Sequence, residues 1–165
     1  MAVIRLVPAL ALLASSVAGA EEPVVDHQPI ECSVPEMNTR VCAYVLDDGE
    51  VKRVRTYFRA EKQEAFYYSD MAFDGIQFCA TLPVLKKNVP RLEYYIWAVD
   101  DEFMSTRTRS YSVSFVPTSP CSYPVIDEDP ERIQKLVVYA TSEKQGKKIE
   151  NFEETGIVEF HPAKK

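Results

Sequence analysis

Three runs of neighbouring acids are the first residues in this sequence with the means to do chemistry: Asp47-Asp48, Asp100-Asp101-Glu102 and Asp127-Glu128-Asp129. Two carboxyls at a fixed gap can hydrolyse a glycosidic bond, one as acid and the other as base or nucleophile. Several carboxylate oxygens together can hold calcium. Acids adjacent in sequence beside turn residues are ordinarily solvated turn formers, and the chain has neither an EF-hand pattern nor an isolated acid within an apolar run. A nucleophilic triad needs a base within reach of a serine or cysteine. The two histidines, His27 and His161, stand near the ends of the chain once the leader is set aside. These residues point away from catalysis, and no metal or cofactor is expected.

The four cysteines, Cys32, Cys42, Cys79 and Cys121, are separated by nine, thirty-six and forty-one residues. No C-x2-C pair occurs, so disulfides are favoured over zinc, with three connectivities open. Cys79 shares a strand face with Gln77 and Thr81, opposite Ile76 and Phe78. An outward cysteine would bridge something lying over the surface, and Cys121 follows the last expected sandwich strand. The expectation is therefore Cys79–Cys121, leaving Cys32–Cys42 to close the preceding segment.

The remaining chemistry is that of recognition. Arg53, Arg55 and Arg59 form a stripe with Tyr57 among them. The stripe suits either an acidic partner or simple cross-strand pairing with Glu and Asp. The segment "RLEYYIWAVDDE" (Arg91 to Glu102) carries large side chains at every position of its middle. If Tyr94, Ile96 and Ala98 face a core, Tyr95, Trp97 and Val99 face outward. Flanking strands would add one of Tyr67 or Tyr68, and the hydroxyls of Ser110 and Ser112. Such a face suits a protein partner or a sugar, because Tyr and Trp combine apolar area with a polar tip. Alternatively the chain's own N-terminal lead or C-terminal tail covers it.

Short strands must position these residues. Val41–Leu46 and Val51–Arg59 flank "DDGE", a tight-turn signal that predicts a hairpin. Further strands are expected at 65–71, 75–82, 92–100 and 106–116, with Pro83 and Pro90 bounding a loop and Pro117 ending the last. Six strands without a long helix predict an all-β fold, an antiparallel two-sheet sandwich. Residues 1–20 read as a signal peptide: Arg5, an apolar stretch from Leu6 to Leu13, then Ala18-Gly19-Ala20. Residues 21–39 read as an extended lead-in, 40–117 as the sandwich, and 118–165 as an extension docked on it. In that extension Asp129 caps a short helical turn at Pro130, and 136–141 and 156–160 form a loose β-hairpin.

The run "RVRTYFRA…FYYSDM…GIQFCATLP…LEYYIWAVDD…TRSYSVSFV" resembles a fibronectin type III or immunoglobulin-like domain of bacterial exported proteins. Tyr94-x-Ile96-x-Ala98-x-Asp100 is similar to the penultimate strand of such domains, with Leu92 where a corner tyrosine often stands. The resemblance implies a fold and not a function, because this sandwich serves many roles.

The chain has 165 residues and a formal net charge of −6, one unit more negative without Arg5. That balance argues against nucleic acid, whose phosphates call for clustered cations. No stretch reaches the roughly twenty apolar residues of a membrane span. The expected protein is an exported, non-catalytic interaction module in the periplasm or outside the cell. Its expected partner is an envelope or extracellular protein, with a cell-wall or extracellular polysaccharide as the alternative.

Overall fold

The computed structural model describes residues 21–115, 126–134, 136–153 and 159–164. The expected signal peptide and Cys121 lie outside the described residues. Two sheets pack face to face. The smaller has the order β1 (Val24–Asp26), β3 (Thr39–Leu46), β7 (Phe78–Leu82), β6 (Ala72–Phe73). The larger runs β12 (Glu159–His161), β11 (Val137–Ala140), β5 (Tyr67–Asp70), β4 (Val51–Ala60), β8 (Arg91–Asp100), β10 (Tyr111–Phe115), β2 (Cys32–Ser33), with β9 (Ser105–Arg107) also paired to β8. The all-β sandwich expected from the strand pattern is what forms.

Period-two alternation builds the core. Along β4, Val54, Thr56 and Phe58 are buried; along β8, Leu92, Tyr94, Ile96 and Ala98 are buried. Val41 and Ala43 of β3 and Ala80 and Leu82 of β7 meet them from the other sheet. Successive side chains on a strand point to opposite faces, so burial of these positions turns Arg55, Tyr57, Arg59, Tyr95 and Trp97 outward. Each large apolar side chain buried contributes about 1.5–3 kcal/mol.

Several connections differ from the sequence reading. Val41–Leu46 and Val51–Arg59 do not pair as a hairpin: β3 pairs with β1 and β7, whereas β4 pairs with β5 and β8. The "DDGE" segment is an arch between the sheets. Its glycine does not adopt a positive φ. A Cβ at Gly49 would instead lie 3.0 Å from Asp101 Oδ1 and 3.3 Å from Asp47 Oδ1, so the glycine serves close packing. The Asp101 amide donates to the Glu50 carbonyl (3.0 Å), which fastens the arch to the end of β8. The positive φ appears at Gly75, in the turn that Asp74 caps by accepting from the Ile76 and Gln77 amides. Ile76, expected in the core, is 72% exposed in that turn.

The expected sixth strand is split into β9 and β10. Ala98 faces Thr106, but Tyr94 faces Tyr111, which leaves one extra residue between them. That is a bulge, and Ser110 lies in it. The tail contributes two strands, but β11 and β12 run parallel and are not a hairpin. The short helix Pro130–Ile133 forms as expected, with Asp129 accepting from the Glu131 amide.

The lead-in is built into both sheets. β1 joins the smaller, and β2 pairs parallel with β10 of the larger. His27, between them, is the fastener. Its Nδ1–H donates to the Cys42 carbonyl (2.6 Å), because that carbonyl can only accept. Its Nε2 therefore accepts from the Tyr94 hydroxyl (2.7 Å), whose oxygen accepts from the Ile30 amide (2.9 Å). Nε2 is that acceptor in the neutral ring, and a proton there would take the acceptor away. Burial lowers the His27 pKa, against the opposing influences of the Cys42 carbonyl and Asp26. A folded-state pKa below the unfolded value near 6.5 gives stability that is complete above that pH and is lost as pH falls below it. The wild type is expected to lose thermal stability as pH falls below about 6.5, at no more than about 1.4 kcal/mol per pH unit from this group. The step should be missing in His27→Asn, as thermal melts at stepped pH would show.

Candidate functional site

The larger sheet's outer face carries a cross-strand ladder of rings. Its rungs are register partners: Tyr139 faces His161 and Tyr68, and Tyr57 faces Tyr68 and Tyr95. Neighbouring strands lie about 4.8 Å apart, which matches the separation of stacked rings. His161 stacks on Tyr139 (4.9 Å, 18° between planes) and Tyr139 on Tyr68 (4.9 Å, 11°). Tyr68 leans on Tyr57 (5.4 Å), and Tyr57 stacks on Tyr95 (4.8 Å, 5°). Phe66 meets Tyr95 edge-on, and the Arg107 guanidinium lies 4.3 Å from the centre of the Tyr95 ring. Rings and guanidinium share out the ring faces among themselves. This is how one strand carries large side chains on both sides: each outer ring is only partly exposed because its neighbours cover it.

The adjacent row along the strands is Arg55, Trp97, Arg107, each facing the next across a strand pair. Arg55 is held twice. Its Nε–H donates to Asp70 (2.8 Å), and its guanidinium lies 4.3 Å from the Tyr68 ring centre and 5.9 Å from Trp97. Burial works against its charge, but the hydrogen bonds to Asp70 and Tyr57 and the attraction of Asp70 and Tyr68 together outweigh this and its pKa is raised. In the row beyond the ladder, Arg59 donates twice to one Glu93 oxygen (2.6 and 2.8 Å). The pairing expected for the arginine stripe is thus present for Arg55 and Arg59. Arg53 and Arg107 are exposed and make no ion pair among the described residues.

The phenols of Tyr68 and Tyr95 are shifted upward by burial, with Arg55 and Arg107 respectively opposing. They stay neutral donors at physiological pH. The hydroxyls of Tyr68, Tyr95 and Tyr139 make no hydrogen bond among the described residues. None of them is a buried unpaired atom either, so they are open to solvent.

Of the residues anticipated for this face, Tyr95, Trp97 and Tyr68 come together. Tyr67 does not belong: it is 0% exposed, and its hydroxyl accepts from the Glu150 amide inside the sandwich. Alternation on β5 sends one tyrosine of the pair out and the other in. Ser112 is exposed opposite Glu93, and Ser110 sits in the bulge; both line a shallow cleft with Arg59 and Glu93, beyond the ladder. Tyr139, His161 and Arg107 were not anticipated. Each lies at an outward position of its own strand, but only the strand order shows that they share a surface.

The described residues of the tail do not cover the ladder's strands but extend their sheet. They join it at the β5 edge, and the ladder continues onto them.

Several acids of the three runs are engaged with the chain's own backbone and side chains. Asp47 accepts from the Gly49 amide, and buried Asp100 from the Met104 amide (2.8 Å each). The Asp127 side chain is 0% exposed, pairs with Arg132 at 3.0 Å and accepts from Thr81. Among the described residues no group of three or more His, Cys, Asp or Glu side chains is placed to hold a metal.

Neither expected disulfide forms as paired. Cys42 is bonded to Cys79, its register partner on the neighbouring antiparallel strand, with 4.1 Å between Cα atoms. Both side chains share the outward side of the smaller sheet, opposite buried Val41 and Ala80. Cys79 faces outward as expected, but its nearest thiol is the one beside it in the sheet. Cys32 is also disulfide-bonded. No helix among the described residues is long and apolar enough to cross a membrane.

No protein-family model matches this chain, and no curated protein does. The functional reading therefore rests on the geometry.

Proposed function

We propose that this is an exported, non-catalytic interaction module that binds a protein partner through the outer face of the larger sheet. The observation that carries this reading is the ladder itself. From Tyr139 to Tyr95 its facing ring surfaces are occupied by other rings and by Arg107, while hydroxyl edges and guanidiniums remain available. A sugar stacks on an open ring face; a protein partner needs rigid aromatic anchors and hydrogen-bonding edges, and Tyr, Trp and Arg are the residues enriched at binding hot spots. The polysaccharide alternative has less support for that reason. The disulfide supports the export reading, since such bonds persist in oxidising compartments. The fibronectin type III or immunoglobulin-like resemblance is compatible with the two-sheet arrangement and is carried as part of the proposal.

The test separates folding from binding. Trp97→Ser and Tyr95→Ser are each expected to abolish partner cross-linking in the native host envelope, a change of tenfold or more for an anchor worth about 2 kcal/mol. The sandwich should keep a cooperative melt, because the core side of β8 is untouched. Melts that collapse while cross-linking by the folded fraction survives would sink the reading.

A further inference from the structure

We infer that the partner presents an acidic, extended peptide segment that seats across Trp97 between Arg53 and Arg107; this rests on the protein-binding reading of the same face. The chain is acidic as a whole, yet this face gathers four of its nine arginines, Arg53, Arg55, Arg59 and Arg107, against the carboxylates of Asp70, Glu93 and Glu159, the last of which lies 2.8 Å from His161 at the far end of the ladder. Asp70 and Glu93 are spent on Arg55 and Arg59. The surplus positive charge is at Arg53 and Arg107.

Their placement is suited to carboxylates. Arg107 holds its guanidinium carbon over the Tyr95 ring, 4.3 Å from its centre, and has no carboxylate partner among the described residues. A guanidinium held on a ring offers a preorganised fork that can grip a carboxylate with two hydrogen bonds. Trp97 lies between Arg55 and Arg107 in register, with Arg53 one outward position along β4. Outward residues on one strand are spaced about 6.8 Å apart, as are alternate residues of an extended peptide. Arg53 and Arg107 stand two strands apart and one outward position out of line, about 12 Å between backbones, a span that an extended peptide crosses in about four residues, so acids four positions apart would meet the two arginines on either side of Trp97. Trp97 supplies the apolar contact at the centre.

The experiment uses the disulfide-bonded chain and a short fluorescent peptide with glutamates four positions apart. Its controls are the same peptide with glutamine, and an oligogalacturonate. The glutamate peptide is expected to bind about tenfold or more tighter than the glutamine peptide at low salt, with the preference shrinking as salt rises. The double variant Arg53→Gln/Arg107→Gln should lose that preference while melting like the wild type, because both side chains are exposed. Equal binding of the two peptides, or a preference that survives in the double variant, overturns the inference. So does oligogalacturonate binding as tight as the glutamate peptide through the same arginines. Envelope cross-linking separates the two levels. A partner lost in Trp97→Ser but kept in Arg53→Gln/Arg107→Gln leaves the binding face standing and removes its acidic occupant. A partner kept in both removes the face as well.

Discussion

Phe152→Ala is expected to destabilise the protein by about 3–5 kcal/mol, the range for emptying a fully buried aromatic site. Phe152 is in the tail, yet it is wholly enclosed. Its ring meets Phe58 edge-on (5.4 Å, 82°) and Tyr67 edge-on (6.0 Å, 86°), so it touches two strands of the larger sheet. The backbone on both sides is fastened as well. The Lys86 amide donates to the Asn151 carbonyl (3.0 Å), and the Glu153 amide to the Val84 carbonyl (2.8 Å). The tail thus ties the 83–90 loop to β4 and β5, by backbone hydrogen bonds on one side and the Phe152 ring on the other. Urea unfolding should show a lower midpoint with an unchanged slope, and Phe152→Leu should lose less because much of the buried surface remains. A cost below about 1 kcal/mol for Phe152→Ala would mean that the tail is not seated in the core, since that is the range of ordinary surface changes.

Cys42→Ala/Cys79→Ala is expected to cost about 4 kcal/mol, from the loop-closure entropy of a bridge spanning 37 residues. Against a typical total of 5–15 kcal/mol this would bring the domain near its unfolding threshold. The bridge joins the middles of β3 and β7, the two central strands of the smaller sheet, so its loss loosens the sheet that closes the core. Cys42 also supplies the carbonyl that receives the His27 proton, so a weakened β3 should loosen the lead-in too. Chemical denaturation of the double variant measures the cost. Non-reducing digestion of the wild type should yield a peptide pair joined through Cys42 and Cys79, and a Cys32–Cys42 pair would contradict the fold.

The sequence reading and the structure part at identifiable places. The inward and outward faces of β4 and β8 were legible because alternation is a local, period-two property, and burial of one face fixes the other. Tyr95 and Trp97 were placed correctly on that basis. "DDGE" was misread because a hairpin and an inter-sheet arch use the same turn residues. What separates them is whether β4 gains more by pairing with β3 or with β8, which no local segment encodes. Tyr67 and Tyr68 could not be told apart without the register of β5 against β4. The cysteine pairing failed for a related reason: two outward cysteines become neighbours only once β3 and β7 are adjacent.

By itself, then, the sequence determined the all-β class, the two-faced fifth expected strand and the presence of cystine bridges, because composition, alternation and cysteine count act through short-range physics. The tertiary structure decided the strand order, the bridge between β3 and β7, and the ladder from His161 to Tyr95. Those depend on which strands lie side by side. Strand spacing near 4.8 Å then turns scattered outward aromatics into one stacked surface.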